Sequence, residues 1–258
     1  MSVDVSVSDN GIATIILNRP ERLNAMDAEH YETLSKTWIQ VRDDPAIRVA
    51  VITGAGEKSF TTGADLKSFI PKPPSLAETW LTQQSQLLNR GLEVWKPVIS
   101  AINGYCLGGG MTLMLATDIR VAAEHASFNL AEVKRGLMPG NGGTQRILRQ
   151  LPYPLAMEML LVGDFIDAET ALRWGLVNRV VPMADLMPTA MEFAEKIAAN
   201  APMAVQAAKE LAVRSQDVDI VTGLRMETLA NRLLHDSEDA AEGVKAFAEK
   251  RPPQFKGR

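Results

Sequence analysis

The chain has 258 residues, 46% of them hydrophobic and 22% charged, with a formal net charge of −4 at pH 7. That length supports a sizeable core in one large domain or in a main domain with an appendage, and a weakly acidic chain without a basic stripe excludes a nucleic-acid footprint. No apolar run approaches the roughly twenty residues of a membrane span, and the opening MSVDVSVSDNG is not expected to be a secretory signal, since it lacks a basic-then-apolar pattern.

Val3, Val5 and Val7 alternate with polar residues, and Ile12–Leu17 is a second β-rich run. Asp9-Asn10-Gly11 between them predicts a hairpin, and Asn18-Arg19-Pro20 ends the second strand. Asp27 is a predicted N-cap for a helix carrying Tyr31, Leu34, Trp38 and Val41 at helical spacing, stopped at Asp43-Asp44-Pro45. Val49–Thr53 predicts a third strand. Phe60–Lys67 is centred on Gly63 and is expected to be a loop entering a helix. Pro71, Pro73 and Pro74 mark a further loop before a helical stretch from Ala77 to Leu92.

Lys96–Asp118 is the most informative stretch. Val98–Ile102 reads as a buried strand, Asn103-Gly104 as a turn, and Met111–Ala116 as a buried helix entered through Gly108-Gly109-Gly110. A glycine triplet before a helix leaves free amide donors with no Cβ to block a ligand, which suits an oxyanion or a phosphate. It equally permits tight helix–strand packing, and the residues alone leave both open. Cys106, the single cysteine, falls in the strand-to-helix turn and reads as buried and inert. It excludes an intramolecular disulfide framework and fits a reducing, cytoplasmic compartment.

Ile119–Ala122 predicts another strand. A second glycine cluster, Pro139–Thr144, precedes a helix at Gln145–Leu151; Asp167 caps a helix that Gly175 ends, and Val177–Val181 is the last strand. From Ala184 onward the pattern is helical, with expected breaks at Ala201-Pro202 and Gly223. Strands early and helices alone at the end predict an α/β core with a helical C-terminal region.

Metal catalysis finds no support, because His30, His125 and His235 are scattered and none has a ligand-spaced partner. There is no Gly-x-Ser-x-Gly elbow, no Gly-Lys-Ser/Thr phosphate loop and no Gly-x-Gly-x-x-Gly after a strand. Two glycine-rich backbone sites and one carboxylate, Glu132, remain. Glu132 lies among Phe128, Leu130 and Val133, which would desolvate it and raise its pKa, but also beside Lys134 and Arg135, as a solvated glutamate would.

Taken in order, Asn18-Arg-Pro20 with Leu23-Asn24-Ala25, Phe60–Lys67, Gly104–Gly110, Pro139-Gly-Asn-Gly-Gly-Thr-Gln-Arg146, Phe247–Arg251 and Phe255-Lys256 resemble the crotonase, or enoyl-CoA hydratase/isomerase, superfamily. The resemblance covers nearly the whole chain. It implies a crotonase-like α/β spiral of repeated ββα units (residues 1–195) and a C-terminal helical trimerisation region (residues 196–258), with trimers able to pair into hexamers. It implies an acyl-CoA thioester as substrate, with CoA arriving as part of it and no metal or separate cofactor. By the same resemblance the amides of Ala64 and Gly109 form an oxyanion hole, joining the two glycine-rich sites. Glu132 transfers a proton at the substrate α-carbon; Ala64, Asp65, Leu66 and Lys67 match the CoA-contacting segment; and Arg22 and Leu23 lie toward the nucleotide end. Phe247 and Lys250 match C-terminal CoA-site positions, though an ordinary amphipathic helix explains them equally well.

The chain departs from the pattern at one place. Where two-glutamate hydratases carry their first glutamate, two residues after the triplet, this chain has Thr112, whose hydroxyl can orient water but is no useful base. The expected reaction is hydration of a 2-enoyl-CoA or dehydration of a 3-hydroxyacyl-CoA. A single-glutamate Δ3,Δ2-enoyl-CoA isomerase and a non-catalytic acyl-CoA binder are the alternatives.

Overall fold

The structure, a computed structural model, describes residues 2–65, 67 and 86–258. The predicted Asp9–Gly11 turn folds β1 (Val3–Val7) antiparallel onto β2 (Ile12–Leu17). Parallel strands then add to β2: β3 (Val49–Gly54), β5 (Val98–Ile102), β7 (Ile119–Ala123) and β10 (Arg179–Val181), giving a six-stranded sheet in the order β1-β2-β3-β5-β7-β10. A second sheet contains β4 (Ser59–Thr61), β6 (Tyr105–Leu107), β8 (Ser127–Asn129) and β9 (Ile166–Asp167), the first three parallel and the last antiparallel.

The pairs β3–β4, β5–β6 and β7–β8 each place one strand in the large sheet and the next in the small one, so the chain winds as a spiral. Asn103 and Gly104 join two of these turns. The Asn103 amide donates to Gly54 O at 2.9 Å and Gly56 O at 2.6 Å, and its Oδ1 accepts from Gly54 N–H at 3.2 Å. At Gly104, with φ of +153°, a Cβ would stand 2.1 Å from Lys58 O, so no side chain fits where the turns touch.

The helices that follow or cover the strands are α1 (Ala28–Asp43), α2 (Gly109–Met114), α3 (Gly143–Gln150), α4 (Tyr153–Val162), α5 (Ala168–Arg173), α6 (Met183–Ala198), α7 (Pro202–Arg214), α8 (Ile220–His235) and α9 (Glu238–Glu249). Asp27 and Asp167 cap α1 and α5 as expected, accepting from His30 N–H and Thr170 N–H. The inner strands β2, β3, β5 and β7 of the large sheet are buried on both faces, as parallel strands are, whereas the edge strands β1 and β10 are mostly exposed or half-buried. One face packs Val49, Val51, Ile99, Ala101, Val121 and Ala123 against Leu186, Ala190, Ala194 and Ala198, a stripe of mostly alanine that lets α6 lie close. The other face packs Ala50, Ile52 and Ile102 against α1, through Leu34, Trp38 and Val41, and against the small sheet and α2.

Several expectations need correction. Cys106 lies within strand β6, not in a turn; it is fully buried, and burial pushes its thiol far up. The predicted break at Gly223 falls inside α8, and the chain turns instead before Asp219, whose side chain caps Val221 and Thr222 N–H. At the end of the Ala77–Leu92 stretch, Leu87 is extended and Leu88–Arg90 form a 3-10 turn, not α-helix. The loop at Pro71–Pro74 and residues 77–85 of that stretch lie outside the described residues. No helix among the described residues is long and apolar enough to cross a membrane.

Candidate active site

Two backbone segments meet where α2 begins. Gly63 adopts φ of +83°, and a Cβ there would lie 2.5 Å from Gly109 N; a Cβ on Gly109 would lie 3.4 Å from Ala64 N. The loop holding Ala64 is fixed from behind. Met26 N–H donates to Gly63 O at 2.8 Å, Asp65 N–H donates to Met26 O at 2.9 Å, and Thr61 Oγ1 accepts from Gly63 N–H at 3.0 Å. These bonds flank Ala64 and leave its own N–H without an acceptor among the described residues. Gly109 is the first residue of α2, so its N–H has no intrahelical acceptor. Both readings of the glycine triplet therefore hold: Gly110 lets α2 press on Thr61, where a Cβ would come 2.2 Å from Thr61 O, and Gly109 leaves a donor open. Because α2 has only six residues, the pair of amides matters here more than a helix macrodipole.

Glu132 opens the 3-10 turn Glu132–Arg135 that follows β8. Its carboxylate lies against the backbone just before Gly109, since a Cβ on Gly108 would stand 3.3 Å from Glu132 Oε1. Oε2 is sealed from solvent and has no hydrogen-bond partner among the described residues. Burial pushes its carboxyl above the usual carboxylate range, against weaker lowering by its own backbone and by Arg135. The neighbouring charges are occupied: Lys134 pairs with Asp164, and Arg135 donates to Ala131 O at 3.1 Å. Of the two readings left open by the sequence, the desolvated one describes this glutamate.

Thr112 sits one helical turn after Gly109 and is buried. Its hydroxyl donates to Gly109 O at 3.0 Å and accepts from Asn89 Nδ2 at 3.1 Å. The amino-acid sequence does not single out Asn89. A lone asparagine before a glycine-containing turn carries no periodic signal, and its contact with Thr112 spans 23 residues.

Of the remaining candidates, Arg22 is exposed and Leu23 adopts a left-handed φ of 52°. Leu23 O accepts from Ser59 Oγ at 2.9 Å and Thr62 N–H at 3.3 Å, which sets both residues beside the Ala64 loop. Asp65 is ion-paired to Arg19 at 3.0 Å, and its Oδ1 accepts from Lys67 N–H at 3.1 Å, with Lys67 exposed. Leu66 lies outside the described residues. Phe247, 88% exposed, and Lys250, in a left-handed conformation after α9, make no hydrogen bond or ion pair to this site among the described residues. The methionines divide: Met111, Met114 and Met159 are core, and Met138 is exposed. Among the described residues no group of three or more His, Cys, Asp or Glu is placed to hold a metal ion.

The arrangement is thus a pair of uncommitted amides beside a desolvated carboxylate, suited to an oxygen that gains charge while a neighbouring atom exchanges a proton. Comparison with known proteins gives a consistent result. The sequence profile of the Enoyl-CoA hydratase/isomerase family matches residues 8–258. The chain is 47% identical to the (E)-benzylidenesuccinyl-CoA hydratase of Thauera aromatica and 41% identical to the carnitinyl-CoA dehydratase of Proteus mirabilis, each alignment covering 100% of both chains. It superimposes with a TM-score of 0.92 on the crystal structure of an enoyl-CoA hydratase from Bacillus anthracis, at 38% identity and 100% coverage of both chains.

Proposed function

Because the chain belongs to the enoyl-CoA hydratase/isomerase family, we propose that it hydrates a 2-enoyl-CoA thioester, or runs the reverse dehydration of a 3-hydroxyacyl-CoA, through an enolate. The observation that carries this reading is the desolvated carboxylate of Glu132, whose Oε1 packs against Gly108, next in the chain to the open amide of Gly109 and across from that of Ala64, while its Oε2 is sealed and has no partner among the described residues. In the proposed complex the thioester carbonyl oxygen accepts from both amides. Addition of water to C3 moves the alkene pair toward that oxygen, so the two donors bind the transition state more tightly than the substrate.

One carboxylate suffices for the proton balance. Ionised Glu132 takes a proton from the water as its oxygen bonds to C3, and the same proton then passes to C2 of the enolate. Fixing the water, carboxylate and alkene together replaces the second carboxylate of two-glutamate relatives with positioning. CoA arrives with the substrate, and no step calls on a further cofactor. Arg22, Leu23, Asp65, Leu66 and Lys67 are proposed along the CoA path, with exposed Lys67 offered to a phosphate; Asp65, already paired to Arg19, serves to hold the loop. Phe247 and Lys250 are proposed to reach a CoA site only once chains assemble.

The helices beyond residue 195 are proposed as the assembly region of a homotrimer or a dimer of trimers, because α7 and α8 contain no buried residue in the single chain. The deciding experiment offers the purified protein crotonyl-CoA, (E)-benzylidenesuccinyl-CoA and a 3-enoyl-CoA in parallel. Loss of conjugated-enoyl absorbance with either 2-enoyl thioester is expected. Appearance of that absorbance from the 3-enoyl substrate alone would replace hydration with the single-glutamate isomerase that Thr112 also permits, and silence on all three would favour an acyl-CoA binder.

A further inference from the structure

A hydroxyl has one hydrogen to give, and Thr112 gives it to Gly109 O. Toward Asn89 it can only accept, so the nitrogen end of the Asn89 amide must face it, at 3.1 Å. That fixes the amide's orientation and turns Oδ1 away from Thr112. Asn89 is 6% exposed, and its Oδ1 accepts from no described residue. The turn carrying it is built to stay in place. Asn89 O accepts from Arg146 Nη1 at 3.0 Å, Arg146 Nη1 also holds Asn141 O at 3.2 Å, and Arg90 Nε donates to Asn141 Oδ1 at 2.8 Å. Gly143 presses on Thr112 from the other side, where a Cβ would come 2.9 Å from Cγ2. Thr112 is anchored to Gly109, and Glu132 lies against Gly108, so both side chains converge on consecutive residues at the start of α2.

We propose that Asn89 is the residue that holds the reacting water, with Thr112 setting its orientation. A water attacking C3 needs acceptors for both hydrogens while a lone pair points at carbon. Glu132 accepts the hydrogen that is transferred, and Asn89 Oδ1 accepts the one that stays as the product hydroxyl. The oxygen–C3 bond forms as the C2=C3 pair moves onto the thioester, and the proton on Glu132 passes to C2, so one water is added and nothing else is consumed. A buried amide in this role supplies orientation without a second charge.

This inference rests on the hydration reading, and its test separates the two. Exchange of the α-protons of butyryl-CoA with D2O, followed by NMR, needs Glu132 and the amide pair but no water at C3. Hydration of crotonyl-CoA needs all of them. Asn89→Ala is expected to lower kcat for hydration by about a hundredfold, as misplacing a reacting partner does, with KM and the exchange rate close to wild type. Thr112→Val, which keeps the volume but frees the Asn89 amide, should show the same split and decides the question if Asn89→Ala does not fold. Hydration undiminished in these variants, or exchange falling in step with hydration, would overturn the assignment. Wild-type protein that hydrates neither crotonyl-CoA nor (E)-benzylidenesuccinyl-CoA and exchanges no α-protons of butyryl-CoA would defeat the hydration reading itself, and this inference with it.

Discussion

Glu132 is costly to the fold when ionised, because one of its oxygens is sealed from solvent and has no donor among the described residues. Its carboxyl is raised above the usual range by burial, so the folded state binds the proton more tightly than the unfolded chain. The stability linked to this group is full below the ordinary glutamate pKa and is lost as pH rises through the raised folded value. Glu132→Gln should therefore melt higher than wild type at pH 8, with the gain shrinking as pH falls, while turnover drops by about a hundredfold to ten-thousandfold. The acid limb of kcat/KM in the wild type should lie above the ordinary carboxylate range, since protonation removes the base. Thermal melts across pH and a pH–rate profile check both; an equal Tm difference at all pH values would contradict the desolvated reading. Gly63 tests the amide pair. With φ of +83° and only 2.5 Å between an added Cβ and Gly109 N, Gly63→Ala must push the loop away from α2. Strain of about 1–3 kcal/mol and a loss of at least about tenfold in kcat are expected, measured by urea unfolding and steady-state assay. Full activity would show that the carbonyl does not sit between these amides.

Among the elements, the five- and six-residue strands of the large sheet and most of the helices are legible in the sequence because each is long enough to show a period or a cap. Asp27 and Asp167 announce α1 and α5, and Val98–Ile102 is a short, mostly apolar run with three β-branched residues. The small sheet is not legible. Strands of two or three residues such as Ser59–Thr61 and Ile166–Asp167 cannot display alternation, and α4, YPLAMEMLLV, is too uniformly apolar to show a face. Nor does sequence reveal what ties these elements together. Arg120 on β7 donates to Leu176 O at 3.1 Å, Leu115 O at 3.3 Å, Thr117 O at 3.0 Å and Gln150 Oε1 at 2.8 Å, linking the end of α2, α3 and the chain after α5. Burial draws its guanidinium down to about 10, with Asp118 opposing, so it remains charged at neutral pH. Arg120→Met keeps much of the volume and leaves Leu176 O and Thr117 O without their side-chain donor, while Leu115 O keeps Gln150 Nε2 at 2.9 Å. At about 1–3 kcal/mol for each buried group left unpaired, the urea midpoint should fall markedly, and Arg120→Lys should fall less. A midpoint unchanged in Arg120→Met would mean that the acceptors find other donors.

In the whole molecule, the spiral is a geometric repeat without a sequence repeat: β3–β4, β5–β6 and β7–β8 share a path between two sheets, not residues. That is why the pattern of strands and helices alone stops at an α/β core, and why only the family resemblance brings Ala64, Gly109 and Glu132, scattered over 69 positions, to one place. The C-terminal helices carry a different message. Neither α7 nor α8 buries a residue, while Ile220 is 75% exposed, Leu224 54% and Leu233 76%. Helices gain most of their stability by packing an apolar face, and an apolar surface of this kind marks an interaction site. A second and third copy of the chain would cover it without any new sequence, and closed cyclic symmetry would leave no copy with an open face. Sedimentation should accordingly give three or six chains, and Tm should rise with protein concentration, as it does when assembly is linked to folding. Replacing Leu224 and Leu233 together by aspartate should shift the mass toward single chains and flatten that concentration dependence. If Phe247 and Lys250 serve a site only across an interface, the same double variant should also raise KM for the CoA thioester more than it lowers kcat. A wild-type protein that sediments as single chains with full activity would remove both the assembly and the role given to α9.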